Sequence, residues 1–123
     1  MATIKSYTDI SQSKKLVEIL PLESADMCWF EGEPFVEAVT GYNEERAESH
    51  RQAGMEMYPC WSLAALLDIL SEGTRLLKST NISSIDDVKY HCDCPKGNID
   101  NWFNNPVDAC VAMIEKLHEL NLL

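Results

Sequence analysis

Residues 90–97 read YHCDCPKG, so that His91, Cys92 and Cys94 fall within four positions. That density raises zinc ligation, which needs four soft or nitrogen ligands, usually as C-x2-C pairs or as two separate clusters. The other candidate ligands, Cys28, Cys60, Cys110, His50 and His118, are scattered singly. Cys94-Pro95-Lys96-Gly97 carries proline second and glycine fourth, the preference of a type I turn between two strands. Strand side chains alternate between faces, which puts Val88, Tyr90, Cys92 and Cys94 on one side and Lys89, His91 and Asp93 on the other. With Cys94 opposite Gly97, Cys92 is expected to meet Ile99, Val88 to meet Phe103, and His91 to meet Asp100. The hairpin thus turns the thiols inward and the histidine outward. Buried thiols are the expectation, a metal on Cys92 and Cys94 is the weaker alternative, and no cofactor is implied.

A second candidate is Cys60. It follows Pro59, a residue suited to the first position of a helix, where unpaired N–H groups would stabilise a thiolate. A catalytic thiol also needs a base, and His50 is the nearest in sequence. A pocket around Cys60, Trp61 and His50 is therefore the enzymatic or small-molecule alternative. GTRLLKST imitates the end of a phosphate-binding loop, but with Lys78 aligned the required glycines fall on Glu72 and Leu77, so its amides could not approach a phosphate. Trp29, Trp61 and Trp102 have no basic residues interleaved and read as core and rim rather than a stacking platform.

Charge gives the third candidate. The chain of 123 residues has 20 acids and 10 bases, a formal −10, which argues against nucleic acid and anionic membranes as partners. From Glu23 to Glu56 there are nine acids against Arg46 and Arg51, a local −7. A basic protein is the partner such a field would attract. Glu31, Glu33, Glu44, Glu45 and Glu48 are the residues expected to meet it.

Positioning these groups falls to a single α+β domain by length and pattern. Asp9 and Gln12 form a capping box ahead of Leu16, Val17 and Leu20, and Pro21 ends that first helix. MCWFEGEPFVEAVT predicts strands near 27–31 and 35–40 around Gly32, whereas 41–57, polar and without apolar periodicity, reads as a long loop with at most one helical turn. A middle helix is expected from Pro59 to Gly73, with Cys60, Leu63, Ala64, Leu66, Leu67 and Leu70 on one buried arc. TRLLKST predicts a strand. Asn105 and Pro106 start a final helix whose Val107, Cys110, Val111, Met113, Ile114 and Leu117 share a face. The expected architecture is two-layer, an antiparallel sheet of about four to five short strands against two to three helices.

Five cysteines read as reduced thiols. The N-terminal MATIKSYTDISQSKK lacks the charged-then-apolar pattern of a signal peptide, and the longest apolar run, CWSLAALL, is too short to span a bilayer, so the cytoplasm is expected. Three stretches, ILPLESADM (19–27), PCWSLAALLDIL (59–70) and PVDACVAMIEKLHELNLL (106–123), resemble a family of small acidic proteins from gut bacteria, some carried on prophages or other mobile elements. The resemblance covers about a third of the chain and implies a bacterial cytoplasmic or prophage setting. It brings no catalytic motif and is silent on 28–58 and 71–104. The leading functional expectation is a non-enzymatic interaction protein presenting its acidic segment to a basic partner.

Overall fold

The computed structural model describes residues 5–30, 33–36, 44–54, 56–70, 72–80 and 88–123. It is α+β, and the chain folds as two compact units: Tyr7–Ala65, and Met1–Ser6 with Leu66–Leu123.

In the unit 7–65, α1 (Ile10–Leu16) starts where its capping box places it. Asp9 Oδ1 accepts the Gln12 N–H at 2.7 Å, and Gln12 Oε1 accepts the Asp9 N–H at 3.2 Å. Leu16 and Leu20 are buried, and a 3-10 turn, Leu22–Ser24, follows Pro21. Strands β1 (Met27–Phe30), β2 (Glu33–Val36) and β3 (Met57–Cys60) form an antiparallel sheet in the order β2-β1-β3. The register runs Met27 to Cys60 through Phe30 to Met57, and Trp29 to Val36 on the other side. β1 and β2 pair antiparallel as the expected hairpin requires, with β2 beginning at Glu33 rather than 35; the turn itself and the part of the expected strand 35–40 beyond Val36 lie outside the described residues.

The expected loop at 41–57 contains instead a helix, α2 (Glu44–Gln52). Apolar periodicity could not have disclosed it, because Ala47 is its one buried residue, packed with Cys28 and Met57. Ion pairs support the outer side: the Arg51 guanidinium reaches Glu48 at 2.5 Å and Glu44 at 3.2 Å, one and two turns back.

The middle helix is also corrected. It starts at Leu63, not Pro59; α3 is Leu63–Ile69, and Cys60 closes strand β3. Ser62 is the residue that begins it, its Oγ accepting the Ala65 N–H at 3.2 Å as an N-cap does, while Pro59 occupies a sheet-edge strand that tolerates a missing donor. Leu66 and Leu70 are buried as expected, but Ala64 and Leu67 are exposed and Ala65, not on the expected arc, is buried in their place.

In the other unit, β4 (Arg75–Thr80) and β5 (Val88–Asp93) pair antiparallel from Arg75 with Asp93 to Thr80 with Val88. The strands therefore belong to two sheets rather than one. α4 (Pro106–Glu119) packs on β5 and β4; Asn105 Oδ1 caps it by accepting the Asp108 N–H at 2.8 Å. All six residues expected on its inner face are buried, and Ala109 joins them.

Candidate functional site

β5 carries the first set of candidates. Gly97 N–H donates to the Cys94 carbonyl at 3.3 Å across the Pro95-Lys96 turn, so the turn is as expected. Beyond it the register differs: Tyr90, not Val88, faces Phe103, with reciprocal backbone bonds of 2.7 and 2.8 Å. The slip arises where His91 stacks on Trp102, ring centroids 5.0 Å apart, and hydrogen-bonds through Nδ1 to the Asn101 carbonyl at 3.1 Å. His91 thus meets Asn101 and Trp102 rather than Asp100.

Cys92 and Cys94 are buried on the face opposite His91, and Cys92 meets Cys110 of α4. Alternation along β5 divides the three residues that suggested zinc. The Cys110 thiol hydrogen-bonds to Cys92, which together with burial holds Cys110 well above the ordinary thiol range. That same bond favours a thiolate on Cys92, so Cys92 is the member of the pair that loses its proton first.

Cys60 belongs to a buried polar cluster around Thr8. Thr8 Oγ1 accepts the Trp61 N–H at 3.1 Å, contacts Ser13 Oγ at 2.9 Å and donates to Cys60 Sγ at 3.6 Å. The Thr8 carbonyl accepts Trp29 Nε1–H at 3.0 Å and the Cys60 thiol at 3.5 Å, and Thr8 N–H donates to the Trp61 carbonyl at 2.9 Å. Cys60 is fully buried. Its pKa is pushed up to about 11, chiefly by desolvation, with the Thr8 hydroxyl opposing. Closing a strand, it also lacks the helix N-terminus that would have lowered it. Its hydrogen-bond partners among the described residues are both on Thr8, while His50 Nδ1 engages the Arg46 carbonyl at 2.7 Å, within α2.

The acidic candidates divide. Glu31 lies outside the described residues, and of Glu33 only its backbone place in β2 is described. Glu44, Glu45 and Glu48 are exposed on α2, with Arg51 across the Glu44 and Glu48 carboxylates. Glu56, also exposed, accepts the Tyr58 hydroxyl at 2.9 Å, a bond that pushes the Tyr58 phenol upward. Arg51, Glu56, Met57 and Tyr58 line a cavity of about 230 Å³, and Lys14 Nζ lies 5.1 Å from the centre of the Tyr58 ring. Sequence reasoning missed this groove because it needs α2, which has no apolar pattern. Asp26 takes both the Ser62 N–H, at 2.9 Å, and the Ser62 hydroxyl, tying the start of β1 to the start of α3.

Among the described residues no three His, Cys, Asp or Glu side chains converge as a metal site would require, and no helix is long and apolar enough to cross a membrane. The chain matches no protein-family model, no curated protein and no solved structure.

Proposed function

We propose that the protein is a non-enzymatic binding protein whose 7–65 unit presents carboxylates to a basic surface on another protein, in a bacterial cytoplasm. One observation carries the reading: Glu23, Asp26, Glu44, Glu45, Glu48 and Glu56, the acids of the 23–56 segment whose side chains are described, are all exposed. The thiol that would serve an enzyme in the same unit is sealed, and burial holds it protonated. Exposed charge steers encounter more than it builds affinity, so the expected signature lies in association rate and salt dependence.

Arg51 makes the test two-sided. Glu44, Glu45, Arg46, Glu48 and Arg51 give α2 a formal −1. Replacing the three glutamates by glutamine makes it +2, whereas Arg51→Gln makes it −2. The partner captured at low ionic strength should associate faster with Arg51→Gln and slower with the triple variant. Both differences should shrink as the screening length falls from about 10 Å at 0.1 M salt to about 3 Å at 1 M. Circular dichroism checks that α2 persists. Equal association rates for the two variants at low salt would refute the reading.

A further inference from the structure

Arg51 at the end of α2 and Glu56, Met57 and Tyr58, where β3 starts, line a cavity of about 230 Å³ within the 7–65 unit. Met57, 4% exposed, is its apolar floor, and Arg51 and Glu56, both exposed, are its rim. Small-molecule sites enclose about 300–1,000 Å³, so this groove suits one side chain rather than a metabolite. Two acceptors for a cation meet there. Glu56 Oε2 accepts the Tyr58 hydroxyl at 2.9 Å, and the other Glu56 oxygen has no partner among the described residues. The Tyr58 ring already attracts an ammonium, Lys14 Nζ, 5.1 Å from its centre. A carboxylate beside an aromatic ring suits guanidinium better than ammonium, because guanidinium is planar, stacks on rings and forks onto carboxylates. We propose that this groove takes an arginine side chain of the basic protein partner, with the guanidinium against Glu56 and the Tyr58 ring and the methylenes over Met57.

The proposal rests on the reading that the partner is basic, and it gives that partner an anchor. An anionic side chain is the rival occupant, since Lys14 and Arg51 both flank the groove. Arg51 already serves two carboxylates, however, Glu44 at 3.2 Å and Glu48 at 2.5 Å, and Glu56 would repel an entering anion. Glu44, Glu48 and Glu56 against Lys14 and Arg51 leave a formal −1 around the groove. The two occupants predict opposite signs at Lys14. Neutralising it removes repulsion from an arginine but attraction for an anion.

In the experiment N-acetylarginine methylamide is titrated into the isotope-labelled full chain at matched ionic strength, and amide shifts are read at Arg51, Glu56, Met57 and Tyr58. N-acetylcitrulline methylamide, the neutral isostere, and N-acetylglutamate methylamide are the controls. The arginine probe should shift these amides saturably, and the citrulline probe should not. Glu56→Gln and Tyr58→Leu should each weaken binding about 2–5-fold, Tyr58→Phe should change it less than about 2-fold, and Lys14→Gln should tighten it about 2-fold. Glu56 and Lys14 are exposed, so their variants keep the test decisive if Tyr58→Leu fails to fold. Larger shifts with the glutamate probe, equal shifts with the citrulline probe, weakening by Lys14→Gln, or no shift at these amides would each overturn the proposal. Steering is separable from anchoring, because Tyr58→Leu changes no charge and should raise the partner's dissociation rate while leaving the salt dependence of association alone. A partner whose association follows α2 charge but whose dissociation ignores Tyr58→Leu refutes the groove and spares the steering; probe binding here without a response of association to α2 charge does the reverse.

Discussion

Thr8 is the residue on which the 7–65 unit should prove most sensitive to a change of a single atom. Its side chain is fully buried and its hydroxyl is saturated, accepting from Trp61 N–H and Ser13 and donating to Cys60. Thr8→Val preserves shape but leaves the Trp61 N–H and the Ser13 hydroxyl without that acceptor. A buried group stripped of its partner costs about 1–3 kcal/mol, so the two together should cost about 2–6 kcal/mol. Thr8→Ser keeps the oxygen and deletes a methyl, for about 1 kcal/mol. The order matters more than the values: valine, closer in volume, should be worse than serine. A double variant, Thr8→Val with Ser13→Ala, should cost less than the sum of its parts, since the second change removes one stranded hydroxyl. Urea unfolding at neutral pH reads all four. If Thr8→Val unfolds within about 0.5 kcal/mol of the parent, or serine proves the worse substitution, the hydroxyl is not the organising group and the reasoning fails.

Alkaline pH should destabilise the chain. The Cys60 thiol has a folded pKa of about 11 against an ordinary 9.0, so its neutral form is favoured by folding; the stability present below pH 9 is lost as pH rises from 9 through 11, by about 2–3 kcal/mol, and Cys60→Ala should flatten that part of a pH series of urea melts. Gly73 has φ +89° with Pro95 Cγ 3.1 Å from where a Cβ would stand, while Gly54 has φ +83° and open space. Both alanine variants should be destabilised by about 1 kcal/mol for the backbone, with Gly73→Ala the worse in thermal melts. Ile114→Ala, wholly buried on α4, should cost about 2–5 kcal/mol by the same measurement.

What the sequence disclosed depended on whether local chemistry or tertiary partners determined each element. The Asp9 capping box, the Asn105-Pro106 start of α4 and its apolar stripe are local, and the structure has them at the expected residues. The Cys94–Gly97 turn was legible for the same reason. The division of strands into two sheets was not, because pairing β1 with β3 joins residues about thirty apart in sequence, and alternation within a strand says nothing of which strand lies beside it. Pro59 misled because proline suits the first turn of a helix and an edge strand equally, and only the Asp26–Ser62–Ala65 hydrogen bonds distinguish the two. Cys92 could be placed on an inward face, but nothing in the spacing named Cys110 as the thiol it meets.

The acidic segment shows how the same residues can carry charge and structure at once. Glu44, Glu45 and Glu48 suggested a partner surface because they are acidic and dense, and those properties also place two carboxylates within reach of Arg51 and two acids in the first turn of α2, where a helix dipole favours them. Exposed pairs of this kind contribute only about 0.2–1 kcal/mol, so the helix would survive loss of one of them. The field would not survive unchanged: with two of its three negative charges offset, α2 alone is a weak attractor, and most of the −7 lies on the other acids of 23–56. A partner that reads α2 alone should therefore respond strongly to Arg51→Gln, whereas one that reads the whole segment should respond more to neutralising Glu23 and Glu56 together. The ratio of those two changes in association rate locates the binding surface without any assumption about what the partner is.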